Sequence, residues 1–193
     1  DGYSTVRGDS IQSQHTHVDT IPQQQGALPN IELVEKSDTD PCHPAGFRLT
    51  HVIGEGGMGT VYSAHQPSLT REVAIKRVRA SKNNANIAAA IVHEAQLLAR
   101  LEHPNIPPVH LLGHDASGRP ILVMKRVRGH TWSKLVKKDG HSWWRPASGD
   151  KLAHNLRILI QVCNVIAYAH SRHVLHRDIK LDNVMIDSFG ETY

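Results

Sequence analysis

The stretch VLHRDIKLDNVMI, from Val174 to Ile186, places His176, Arg177, Asp178, Lys180, Asp182 and Asn183 within eight positions and brackets them with apolar residues. This is the feature that most restricts the fold. Polar groups crowded between apolar flanks need a loop whose ends are buried, so that its side chains stay at fixed distances. A solvated surface loop has no use for Val, Leu, Met and Ile on both sides. The expectation is a polar loop clamped between buried segments.

The preceding residues supply a frame for that loop. Leu152, Leu156, Leu159, Val162, Ile166 and Ala169 recur at helical spacing and predict a long buried helix feeding directly into it. Further upstream, FRLTHVIGEGG from Phe47 reads as a strand entering a glycine turn, TVYSAHQ as the strand leaving it, and REVAIKRVR as a third strand. From about Asn86, Ile87, Ile91, Glu94, Leu97, Leu98 and Leu101 mark one face of a helix, broken at His103–Asn105 because Pro104 disfavours helix at its predecessor. PPVHLLGHD and RPILVMKRV give two strands around a Ser117–Gly118 turn, followed by a looser Trp-bearing stretch, DGHSWWRPASGD. The order is α+β: a small sheet-based lobe, then the start of a helical one.

Residues 1–45 are rich in Gln, Ser, Thr, Asp and Pro without a sustained period, and are expected to form a disordered leader or linker. Within them the RGD tripeptide at Arg7–Asp9 and the pair His15 and His17 carry no site on their own. Seven acids face Arg7 and Lys36 there, which leaves 20 bases and 11 acids in residues 46–193. A basic domain suits phosphate ligands. With no Lys/Arg run or basic helix face interleaved with aromatics, nucleic acid is not an expected partner. Cys42 and Cys163 form no metal-ligand spacing, and a reduced cytoplasmic location is the simpler reading. No apolar run comes near the ~20 residues of a membrane span, so no membrane segment is expected.

GEGGMGTV sets Gly54, Gly56 and Gly59 at G-x-G-x-x-G, followed by Val61. Missing side chains let main-chain N–H groups approach phosphate oxygens. A dinucleotide fold would need a helix immediately after the glycines, whereas TVYSAHQ reads as a strand, so a hairpin arching over a nucleotide fits better. In the third strand Ala74 and Lys76 share a face by the two-residue period. A lysine on an inner face needs an anion or an acid, and Glu94, inside the apolar stripe of the following helix, is the candidate.

Together these segments resemble the protein kinase family over residues 47–193. GEGGMGTV resembles its glycine-rich loop, Val73–Lys76 (VAIK) its third-strand lysine motif, Glu94 the helix partner, and His176–Asn183 (HRDIKLDN) its catalytic loop. LEHPNI and LVMKRV are similar to its segments leading into the fourth strand and forming the hinge. The resemblance implies a two-lobe fold with a complete β-rich lobe at about 46–128 and the start of the helical lobe at about 129–193. It also implies a serine/threonine kinase using ATP and Mg²⁺ on a protein substrate.

By the same resemblance Asp178 would accept the substrate proton, Lys180 would reach the transferring phosphate, and Asn183 would bind one Mg²⁺. His176 and Arg177 would hold the loop. Ile53 and the three glycines would cover the nucleotide; Val61, Ala74 and Met185 would sandwich the adenine. Met124 would be the gatekeeper, and the backbones of Lys125 and Val127 would bond the base. The lysine two residues after Asp178 favours the serine/threonine branch, and the glycine loop with EAQLLARLEHPNI is most similar to bacterial enzymes.

Leu181 and Asp182 stand where the family more often has Pro and Glu, and Lys125 replaces a common hinge acid. DSFG at Asp187–Gly190 comes only four residues after Asn183, too early for the family's metal-binding Asp-Phe-Gly motif, and is expected to be a hairpin turn. That motif is then expected just beyond Tyr193, and residues 1–193 by themselves to be poorly soluble and inactive. The alternative function is a pseudokinase acting as a nucleotide-binding or scaffold module.

Overall fold

The structure, a computed structural model, describes residues 27–35, 46–57, 59–79, 85–137 and 150–193. The RGD tripeptide, His15, His17, Cys42 and nearly all of the Trp-bearing stretch lie outside the described residues. Strand β1 (Leu33–Val34) is followed by β2 (Phe47–Glu55), β3 (Thr60–Gln66) and β4 (Arg71–Arg77). Helix α1 (Ala85–Ala99), β5 (Val109–His114) and β6 (Pro120–Lys125) complete the first lobe. Then come β7 (Gly129–Thr131), α2 (Trp132–Lys137), α3 (Lys151–Ser171) and β8 (Met185–Asp187). The first six strands form one sheet in the order β1-β2-β3-β4-β6-β5, and β7 pairs with β8. The expected three strands, helix and two strands are all present.

Alternation along β4 divides the sheet into two faces. Val73 and Ile75 point into a core with Phe47, Leu49, Ala64, Ile121 and Val123. On the opposite face Leu122 and Met124 of β6 pack against Ile91 and Ala95 of α1. Ala95 completes the helix stripe and was missing from the sequence expectation, since a lone Ala carries little periodic signal.

The expectation that residues 1–45 lie outside the domain is overturned for 27–35. On the β5 edge, Ile31 N–H donates to His114 O at 2.7 Å and His114 N–H to Pro29 O at 3.0 Å. On the β2 edge, Phe47 N–H donates to Glu32 O at 2.9 Å, and β1 runs parallel to β2. The segment therefore straps the start of β2 to the end of β5, covering one end of each outer edge of the antiparallel sheet. Ile31, 3% exposed, sits in the core beneath it. Gly113 makes the crossing possible: a Cβ there would lie 2.5 Å from Pro29 O. The burial of a few isolated apolar residues outweighs a polar, Pro-rich composition.

Helix α3 begins at Asp150, whose carboxylate accepts from Ala153 N–H at 3.1 Å. One strip is packed: Ile158 with Trp132, Leu135, Val184 and Ile186, and Ala169 with Leu101 and Ile106. The expectation of a buried helix fails for much of its apolar face, because Leu152, Leu156 and Leu159 are 68%, 47% and 45% exposed. No described residue covers them. Periodicity reveals an apolar face but not what packs on it. By length and composition α3 is also apolar enough to cross a membrane, contrary to the sequence expectation, although the core helix of a soluble protein meets the same criterion. Tyr168 docks the helix to the first lobe: its hydroxyl accepts from Glu102 N–H at 3.1 Å, and its ring lies 5.2 Å from that of His103.

The DSFG segment is a hairpin turn, as expected. Asp187 N–H donates to Glu191 O at 2.9 Å, Gly190 takes φ +84°, and Met185 and Tyr193 exchange two hydrogen bonds of 2.8 Å.

Candidate active site

The glycine hairpin between β2 and β3 is closed by Gly56 N–H donating to Gly59 O at 2.9 Å. Its glycines serve different ends. A Cβ on Gly59 would lie 2.3 Å from Arg77 O, so close approach to β4 demands glycine there, whereas a Cβ on Gly56 would meet nothing within 4 Å. Gly56 is thus free of any internal packing requirement, and the space above it is open. Ile53 sits in an irregularity of the β2–β3 register and is 43% exposed. Arg79, which sequence reasoning passed over, braces the hairpin: Nε donates to Thr60 Oγ1 at 3.1 Å and Nη2 meets Glu55 Oε2 at 3.2 Å. The signal was a cation just past the third strand, but its partners depend on strand register.

That register brings several expected residues onto one face. Val61 pairs with Gly54 on one side and Lys76 on the other, while Ala74 pairs with Met124. Directly opposed residues share a sheet face, and it is the face covered by α1. There Lys76 Nζ meets Glu94 Oε2 at 2.5 Å, with side-chain exposures of 15% and 32%. The acid in the apolar stripe has found the lysine. Lys125 N–H donates to Pro108 O at 3.0 Å, so only its carbonyl could serve a base. Val127 follows in the link to β7, and Met185, partly buried, opens β8 opposite Thr131.

The polar loop at His176–Asn183 is organised around Asp178. Lys180 Nζ reaches its Oδ2 at 2.8 Å, and Asn183 Nδ2 donates to the same oxygen at 2.9 Å and to Asp178 O at 2.8 Å. Asp178 N–H donates to His176 Nδ1 at 3.2 Å, and Arg177 takes φ +61°, which turns the chain beneath the aspartate. Above all the hydrogen bond from Lys180, then that from Asn183, holds the Asp178 carboxyl below the usual carboxylate range. It is an exposed anion with two fixed donors.

The expected clamp is firm at the Val184–Ile186 end of this loop and partial at the other. Val184 and Ile186 are 7% and 3% exposed, and at the other end Val174 packs against Leu101, Ile106 and Ala169, but Leu175 and, within the loop, Ile179 are each 60% exposed and no described residue covers them. Among the described residues no group of three or more His, Cys, Asp or Glu could hold a metal. With Nδ2 of Asn183 engaged, its Oδ1 is the amide atom left for a cation. A cavity of about 550 Å³ lined by Leu98, Leu101, His103, Pro108, Val109 and Lys125 shares only Lys125 with the expected site.

The protein kinase domain family model matches residues 47–192. Among curated proteins, the serine/threonine-protein kinase PknD of Protochlamydia amoebophila is 32% identical over 156 residues, covering 78% of this chain. PknD proteins of Chlamydia caviae and Chlamydia abortus are 34% and 36% identical, each over 75% of the chain. Each match covers only 16% of the relative's own length. On the family match and these identities, this chain belongs to the protein kinase family, among bacterial serine/threonine kinases.

Proposed function

We propose that the protein is an ATP-dependent protein serine/threonine kinase, transferring the γ-phosphate of Mg-ATP to a hydroxyl of a protein substrate. The observation that carries this reading is the convergence of Lys180 Nζ and Asn183 Nδ2 on one oxygen of Asp178. A carboxylate kept ionised and oriented by two donors can accept a hydroxyl proton while a cation stands beside it.

Two features suit the ligands. The open space above Gly56 leaves its neighbourhood accessible to phosphate oxygens. The Lys76–Glu94 pair presents a fixed ammonium on the same sheet face as Val61, Ala74 and Met124. In this reading Val61, Ala74 and Met185 enclose the adenine, Met124 stands behind it, and the Lys125 carbonyl and Val127 N–H bond its edge. Lys76 orients the phosphates, and Ile53 and the glycine hairpin cover them. Asp178 takes the proton of the attacking hydroxyl, and Lys180 lies within reach of both that carboxylate and an incoming phosphoryl group. Asn183 Oδ1 would hold Mg²⁺, which when bound neutralises phosphate charge. The exposed thiol of Cys163 and the use of ATP favour work in the cytoplasm.

The test is incubation of the full-length protein with γ-labelled ATP, Mg²⁺ and a panel of proteins, followed by phosphoamino-acid analysis. Label on Ser or Thr, dependent on Asp178, is the expected result. Tight nucleotide binding without transfer would instead favour a pseudokinase.

A further inference from the structure

The chain passes once from the six-stranded sheet into β7 and the helices, through the link after β6. Three of the four residues Lys125-Arg126-Val127-Arg128 are cations, and nothing in phosphoryl transfer calls for them. All three side chains are nevertheless held. Arg126 and Arg128 converge on Glu72 Oε2 in β4, Arg126 through Nη1 and Arg128 through Nη2 at 2.7 Å and Nε at 3.0 Å. On the other side Lys125 Nζ bonds the hydroxyl of Tyr193 and lies 4.3 Å from its ring centroid, while that hydroxyl donates to Glu191 Oε2 at 2.6 Å. The link is latched to the sheet by Glu72 and to the last hairpin by Lys125.

We propose that Glu72 is a positioning residue for nucleotide binding: by holding Arg126 and Arg128 on one carboxylate oxygen, it fixes Val127 between them and sets the base-binding edge against the sheet. This rests on the kinase reading and deepens it. Two guanidinium groups on the same oxygen repel one another unless the carboxylate lies between them. Arg126, only 18% exposed, would then lose its counter-charge in a partly desolvated place. Removing Glu72 therefore pushes apart the residues flanking Val127. Burial alone would raise the Glu72 carboxyl, but Arg128 and Arg126 outweigh it and hold the carboxyl below its ordinary range, so the latch stays charged at neutral pH.

The experiment compares wild-type full-length protein with Glu72→Gln, Glu72→Asp and Arg128→Gln. It reads the Kd of a fluorescent ATP analogue, KM for ATP, KM for protein substrate and kcat, at low and high salt. Glu72→Gln is expected to raise Kd and KM for ATP roughly three- to tenfold, the size two partly exposed ion pairs can supply. Protein-substrate KM and kcat stay within about twofold, Glu72→Asp recovers part of the loss, and the salt dependence of ATP affinity shrinks. Arg128 is 67% exposed, so Arg128→Gln tests the latch without threatening the fold and should weaken ATP binding by a smaller factor in the same way. Unchanged ATP affinity in both Gln variants overturns the proposal, as does an equal loss across all parameters with a lowered Tm. A wild-type protein that neither binds ATP nor transfers phosphate overturns the kinase reading itself, and this inference with it.

Discussion

Lys76 and Glu94 meet at 2.5 Å across the interface of β4 and α1, eighteen residues apart in sequence. The pair joins the sheet to its only covering helix among the described residues, and it lies on the face that carries Val61, Ala74 and Met124. Its strength comes from partial burial, since water screens neither charge fully.

Glu94→Gln keeps the shape of this contact and removes its charge. In the full-length protein kcat/KM for ATP should fall on the order of 10²-fold, the scale on which losing one aligned electrostatic contact acts in an enzyme site. The melting temperature should fall modestly, because Lys76 is left partly buried without its counter-charge. Steady-state kinetics beside a thermal melt checks this, and retained activity would remove the pair from the site.

Asp178 owes its lowered carboxyl first to Lys180 and then to Asn183. In the proposed mechanism the ionised form accepts the proton, so activity should be lost on the acid side only below the usual carboxylate range. Lys180→Met removes the largest cause, and the acid limb of the kcat/KM profile should move up toward an ordinary aspartate. A limb that stays in place would separate Lys180 from Asp178 in function.

Asp115, in the turn between β5 and β6, gathers several charged and polar partners. Its carboxylate, 6% exposed, accepts from the N–H groups of Ser117 and Arg119 and from the guanidinium groups of Arg77 and Arg119. Burial would raise this carboxyl, but the hydrogen bonds from Arg119 and Ser117 together lower it. A depressed folded-state value means the stabilisation is present above the unfolded value and is lost as pH falls through the folded one, so stability should drop below pH ~4. Asp115→Ala should cost about 3 kcal/mol, since it removes the acid partner of the largely buried Arg119 and leaves Arg77 only the 3.7 Å pair with exposed Glu35. Urea titrations across pH, with a flatter acid slope in the variant, are the check.

Gly113 tests the strap. In Gly113→Ala the new methyl would stand 2.5 Å from Pro29 O and 2.6 Å from Ile31 Cδ1, so either the strap lifts or the sheet strains. A loss of about 1–3 kcal/mol is expected. Hydrogen exchange at the Ile31 amide should accelerate, and unchanged protection would show that the strap does not hold the β5 edge.

What was legible in the sequence was local. The glycine spacing, the lysine of VAIK and the polar loop at His176–Asn183 each declare themselves within a few residues, and the early position of DSFG was enough to mark a turn. Glu94 was readable because an acid in an apolar helical stripe has to be explained. What escaped depends on partners distant in sequence. Ile31 looks like one apolar residue in a polar leader until β2 and β5 curl toward it. Glu72 with Arg126 and Arg128, and Arg79 with Glu55 and Thr60, are ordinary surface charges until strand register pairs them. The apolar period of α3 shows which face is apolar, but not that Leu152, Leu156 and Leu159 lack a covering element among the described residues.

The proposed function turns on Asp178 accepting the proton in a phosphoryl transfer. Its most direct test is single-turnover transfer of labelled phosphate from ATP by the full-length protein and its Asp178→Asn variant, with ATP affinity measured on the same samples. Transfer to Ser or Thr should slow by roughly 10²- to 10⁴-fold in the variant while ATP binds as before. Equal transfer rates in the two proteins would contradict the role given to Asp178, and with it the mechanism.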